Sequence, residues 1–289
     1  MHLNINRLTG IASIVLGVGT AVSVILGPLV TNVIKFHVSD NARNQLIGGE
    51  IVSLCVVAPL AVAAGVLWLR GKRVAPMLAL GPALYAIYTY VQFIIGPDYQ
   101  RYIGNNEQAF PLYLSLILLS WVVVVRAWSE LAEAVLPVPT TGLRRGLGST
   151  LIVLGIFFAL TWARSIADVL SGTHLTEYRQ DPTLFWLIRL MDLGFVIPAA
   201  LSIGVGLLRG KQWAVRMSYA ITGFITLEIG AVAGMALAMI VRDDPAASMP
   251  LFIVTLVSAL TLGAFFLRLL RTTRGVAAAR RPAPLRATS

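Results

Sequence analysis

Cysteine is almost missing from this chain. A single one, Cys55, occurs in 289 residues, so no internal disulfide can form and cysteine usage says nothing about redox compartment. Histidine is scarce too. His2, His37 and His174 are scattered, and no Cys/His spacing resembles a metal-ligand set, so no metal is expected. Charge is the largest shortfall. Charged residues make up 12% and hydrophobic ones 57%, where an ordinary soluble domain carries about 25% charged residues. A soluble chain so apolar could not cover its surface with polar groups. A bilayer removes that problem, because lipid solvates apolar faces. Also missing are a Walker loop, a Gly-x-Ser-x-Gly elbow, a His-Glu-x-x-His pair and a dinucleotide fingerprint, so no cofactor is expected.

What is there is a set of long apolar runs. A membrane span needs roughly 20 mostly apolar residues. Eight stretches qualify, at about Leu8–Ile34, Ile47–Leu69, Val74–Ile95, Phe110–Val125, Leu147–Ala167, Leu184–Leu208, Trp213–Val241 and Pro250–Leu270. The fourth is short unless it continues past Arg126 to Trp128. The first, about 27 residues, exceeds the 7–15 residues of a signal-peptide core and reads as a span. The expected fold is therefore an all-α membrane protein with eight transmembrane helices, in the cell membrane.

The net charge of +10 would raise nucleic acid as a partner in a soluble protein. Here the basic residues sit mostly at span ends and in the C-terminal tail, so nucleic acid is set aside. With the N-terminus inside, 16 of the 23 Lys and Arg residues fall in inside segments. These include Arg70, Lys72, Arg73, Arg209 and Lys211. Positive residues favour the cytoplasmic side, so both termini are expected there. Residues 276–289 are rich in Ala, Arg and Pro and read as a disordered basic tail. Its charges would lie near anionic lipid headgroups, each worth about 1 kcal/mol close to the surface.

The chain also echoes itself. Leu69-Arg70-Gly71-Lys72 recurs as Leu208-Arg209-Gly210-Lys211, 139 positions later. The same shift maps Pro59 onto Pro198, Gly65 onto Gly204 and Pro111-Leu112 onto Pro250-Leu251. Between residues 50–76 and 189–215, 11 of 27 pairs are identical. This reads as two four-helix repeats, 1–136 and 146–275, joined by a linker at 137–145. Four is even, so the copies share one orientation and are related by an axis along the membrane normal.

Several of these patterns resemble an uncharacterised bacterial family of polytopic membrane proteins. The second half carries Phe157-Phe158-Ala159-Leu160-Thr161-Trp162, Asp181-Pro182-Thr183 and an Asp-Leu-Gly-x-x-x-Pro motif from Asp192 to Pro198. The first half carries Gly49-Glu50 running to Pro59, Leu69-Arg70-Gly71, Gly81, the tyrosines Tyr85, Tyr88 and Tyr90, and Pro111-Leu112-Tyr113. The likeness covers nearly the whole chain. The family more often has Asp where this chain has Glu50. The resemblance implies the eight-span fold and carries no activity, substrate or cofactor with it.

Ionisable groups inside a span cost about 2.5–3.5 kcal/mol on insertion scales and are functional hypotheses by default. Four stand out: Glu50, Arg189, Asp192 and Glu228. Arg189 and Asp192 are three apart, which suits an intrahelical ion pair or a site carboxylate beside its cation. Glu50 follows Gly48-Gly49. That fits a helix start with an acid in the first turn, favourable to the helix dipole, or an outward-facing site. Glu228 has no basic residue within one turn. It must be protonated, paired across helices or facing water. Tyr85, Tyr88 and Gln92 lie at i, i+3 and i+7, one stripe of a helix that either packs or walls a ligand. Trp162 and Trp186 read as interfacial anchors. Three functions follow from these residues. One is binding or translocation of a small molecule or ion between the repeats. Another is an intramembrane enzyme acting on a lipid or isoprenoid. The third is a structural or regulatory subunit.

Overall fold

The computed structural model describes residues 2–133, 136–173 and 175–279. His174 and the tail residues 280–289 lie outside the described residues, and so do residues 134–135. Among the described residues the fold is all-helical, and eight helical segments are long and apolar enough to cross a membrane. In chain order the elements are α1 (His2–Leu26), α2 (Asp40–Val52), α3 (Ala58–Leu69), α4 (Ala75–Ile95), α5 (Phe110–Glu133) and α6 (Thr141–Leu170). Then come α7 (Thr176–Gln180), α8 (Pro182–Met191), α9 (Ile197–Leu208), α10 (Gln212–Val241) and α11 (Met249–Ala279).

Each apolar run becomes a span, and most helices overrun it. The second span starts at Asp40, capped by Ser39, whose hydroxyl accepts the Ala42 N–H. Gly48-Gly49 is therefore not a helix start, and Glu50 is not in a first turn. The glycines lie inside α2 because α10 passes too close for a side chain. A Cβ on Gly48 would stand 2.3 Å from the Gly234 carbonyl oxygen. The fourth span does run past Arg126, to Glu133. The first helix ends at Leu26, earlier than the apolar run, and the chain continues to Ser39 without regular helix. Helix α6 begins at Thr141, so the second half of the expected linker is helical, and α11 reaches Ala279.

Two spans change pitch in their middle. A π turn, Ser53–Val57, joins α2 to α3, and another, Asp192–Val196, joins α8 to α9. They are 139 residues apart, and each stands just before a proline, Pro59 or Pro198. The cause is local. Proline has no N–H, and its ring crowds the carbonyl four residues back. Widening the preceding turn relieves that crowding. The Ala58 N–H reaches the Ser53 carbonyl, and the Ile197 N–H reaches that of Asp192, the i to i−5 bond of a π turn. The turns after these spans also match. Gly71 at φ 64° and Gly210 at φ 71° end α3 and α9 in the left-handed region that glycine tolerates best.

Helix α10 is largely enclosed and packs on α2, α4, α9 and α11. Close glycine contacts set these crossings: Gly48 with Gly234, and Gly81 with Gly223. Elsewhere α1 crosses α3 at Gly10 and Gly65, and α6 crosses α9 at Gly148 and Gly204. Without a hydrophobic drive between helices in lipid, small residues allow the close van der Waals contact that holds them. Helices α5, α6 and α11 turn large apolar side chains outward, such as Leu118, Val153 and Leu260, as lipid-facing surfaces do.

The connections at one end are tied together. The Ser39 N–H and hydroxyl both donate to the Asp181 carboxylate. Asn41 and Asn44 donate to Asp244 at 2.9 and 2.8 Å. Burial would raise the Asp244 carboxyl, but these two amides and the Ala246 N–H together hold it below its ordinary value. His37 bonds Glu107 at 2.9 Å, and the Tyr102 hydroxyl donates to the Gln180 carbonyl. This network joins the 27–39, 96–109, 171–181 and 242–248 connections.

Candidate functional site

A cavity of about 80 Å³ lies between α2, α4, α8 and α10. Its polar lining is Gln45 and Glu50 from α2, Ser53 from the first π turn, Tyr85, Thr89 and Gln92 from α4, and Glu228 from α10. Its apolar walls include Phe36, Leu46, Phe93, Leu184, Ile188 and Met235. Four of the seven expected site residues, Glu50, Tyr85, Gln92 and Glu228, therefore meet around one space. They come from spans two, three and seven.

Glu50 is 3% exposed. Its Oε2 accepts the Leu29 N–H at 2.8 Å, where the chain leaves α1. The carboxyl occupies the space a side chain at residue 27 would fill. A Cβ on Gly27 would lie 2.0 Å from Oε1, so only glycine fits there. The contact fastens the end of span one to span two.

Glu228 differs. Its Oε2 is buried without a hydrogen-bond partner. The carboxyl lines the cavity, whose lining includes no Lys, Arg or His. An unpaired polar atom away from water is costly, and each such atom asks for an explanation in an unseen ligand, ion or water.

Asp192 opens the second π turn and is not among the residues that line the cavity. It accepts the Tyr88 hydroxyl at 2.6 Å and the Trp162 indole N–H at 2.8 Å. The stripe on α4 thus divides. Tyr85 and Gln92 line the cavity, while Tyr88 turns to Asp192 and packs edge-on against Phe224, 5.6 Å between centroids. There is a parallel between the halves. Ser53, first in its π turn, shares a 2.8 Å hydrogen bond with the Tyr85 hydroxyl. Asp192, first in the other, holds Tyr88. Both π turns are therefore clamped to the same helix, α4.

Arg189 does not form its ion pair with Asp192. It is 2% exposed and makes a bidentate pair with Glu177, at 2.7 and 3.0 Å. Its guanidinium lies 3.6 Å from the Phe185 ring centroid and 4.4 Å from that of Trp162. The planar fork and the stacking suit arginine in particular. Spacing on one helix face permits a pair, but Asp192 is already satisfied by two donors and Glu177 offers a better-directed fork. The Trp162 N–H and ring both serve this cluster. Trp186 is 40% exposed and packs edge-on against Phe185.

Sequence reading did not single out Glu177 or Thr89 as site residues. Glu177 lies in a connection, with no periodicity to aim it at Arg189. Thr89 is the position that the 139-residue shift pairs with Glu228. Among the described residues no group of three or more His, Cys, Asp or Glu side chains could hold a metal ion. No protein-family model, no curated protein and no solved structure matches the chain.

Proposed function

We propose that this protein binds a small molecule or ion between two duplicated four-helix halves and carries it across the cell membrane. The observation that carries this reading is the cavity itself. Its wall is drawn from α2 and α4, which come early in the chain, and from α8 and α10, which come late, and Glu228 presents an unpartnered buried oxygen there. Parallel-repeat transporters hold their substrates at the interface of the repeats, on interrupted helices. The π turns at Ser53–Val57 and Asp192–Val196 widen one spanning helix in each half without breaking it, and the first of them places Ser53 on the cavity wall. Their equal position under the 139-residue shift, with Gly71 and Gly210 in matching turns, supports duplication. The 16 of 23 Lys and Arg residues in the segments toward the other end support an outside location for the four tied connections and a cytoplasmic location for both termini.

An enzyme on lipid or isoprenoid substrates is the weaker reading. The Asp192 carboxylate that would serve it is already bonded to Tyr88 and Trp162. The test compares small solutes in a strain lacking the gene with the same strain carrying the wild-type chain or Glu228→Gln. A solute imbalance that the wild type corrects and Glu228→Gln does not, at equal protein level in the membrane, is the expected result. Full correction by the variant rejects the cavity as the site.

A further inference from the structure

We propose that the cavity takes a small primary amine in its ammonium form, with Glu228 as the counter-charge and the apolar walls holding the amine's carbon chain. This rests on the cavity being the ligand site.

Charge narrows the class first. Two carboxyl groups, Glu50 and Glu228, line the space, and no cationic side chain does. The nearby guanidinium of Arg189 is committed to Glu177 and enclosed by Phe185 and Trp162. An anion would meet two acids and no counter-charge. A desolvated charge without a partner is strongly disfavoured, so anionic solutes are excluded.

Coordination narrows it next. Calcium needs six to eight oxygen ligands, and magnesium a near-ideal octahedron. The Glu50 Oε2 is engaged by the Leu29 N–H, and much of the remaining wall is carbon. An ammonium group asks less. It presents a few N–H donors and needs as many acceptors. The free Oε2 of Glu228 is one, and the hydroxyls of Ser53 and Thr89 offer others.

The walls then select an organic cation. Phe36 and Phe93, packed edge to face with centroids 4.8 Å apart, line the cavity with Leu184 and Ile188. Such a wall gains by covering methylene groups, and ring faces attract a cation within about 6 Å. A volume of about 80 Å³ suits a short chain.

The experiment uses the full chain in lipid nanodiscs and follows its thermal unfolding midpoint. Butylamine, butanol and butyrate are added at matched ionic strength. Butylamine should raise the midpoint saturably for the wild type, and butyrate should not. Glu228→Gln, nearly isosteric, should lose that rise. Thr89→Phe, which fills the cavity, should lose it as well and serves if Glu228→Gln does not fold. A rise that persists in both variants, or no rise with butylamine in the wild type, overturns the amine assignment. If butanol or butyrate alone raises the midpoint and Thr89→Phe removes that rise, the ammonium class is wrong while the cavity stands as a ligand site. If instead Thr89→Phe corrects the deletion strain as well as the wild type does, the cavity reading itself falls, and the amine assignment with it.

Discussion

The acids of this protein differ in what they touch, and that decides what each can do. Glu50 is fastened by a backbone N–H, Asp192 by a phenol and an indole, and Glu228 leaves one oxygen unmatched. For Asp192 the contacts give a graded expectation. In Asp192→Asn the amide oxygen can still accept from Trp162, and its NH2 can donate to the Tyr88 hydroxyl. Asp192→Leu leaves both donors buried and unpaired, at about 1–3 kcal/mol each. Chemical unfolding of the purified protein should rank Asn well above Leu. Equal losses would show that the two hydrogen bonds contribute little. Arg189 teaches the complementary lesson, since a helical spacing of three placed it near Asp192 while its fork went to Glu177.

At the scale of elements, glycine contacts and π turns shape the spans. Helix α10 can lie against α2 only because Gly48 and Gly234 leave room. Gly48→Ala would press a methyl against the backbone of Gly234 and Met235, which cannot move aside as a side chain could. Overpacking of this kind costs typically 1–3 kcal/mol, so the melting temperature in detergent should fall. Gly142→Ala is the control. Nothing lies within 4 Å of its Cβ position, and alanine favours a helix over glycine by about 1 kcal/mol. Similar melting of both variants would remove close packing as the reason for glycine at position 48. The π turns do something else. They shift the register of the residues beyond them and turn Ser53 and Asp192 toward the tyrosines of α4.

At the scale of the molecule, the proposed arrangement is two copies in parallel, with the tied connections outside. It has a direct check. A phosphatase fused after residue 245 should be active, and one fused after residue 276 should be inactive, while a fluorescent reporter should show the reverse. The opposite pattern would invert the topology. Within the same arrangement the halves share one floor, because α4 of the first and α10 of the second both line the cavity.

Span number and helical class were legible in the sequence, and so were the two prolines, Pro59 and Pro198, beside which the spans change pitch. Each depends on short-range properties: the length of an apolar run, the missing N–H of Pro59 and Pro198, and the freedom of glycine at positions 71 and 210. The acids were legible as expensive residues, since cost in a membrane is a property of the residue and its depth. Their partners were not. The Glu50 bond to Leu29, the Glu177 fork on Arg189, the division of Tyr85 from Tyr88, and the single unpartnered oxygen of Glu228 all depend on how helices from different parts of the chain rotate against one another. That rotation is set by close contacts such as Gly48 with Gly234, 186 residues apart in the numbering. Only the folded bundle brings such pairs together, and so only tertiary structure decided which of these polar groups are satisfied and which, like the Glu228 Oε2, lack a partner.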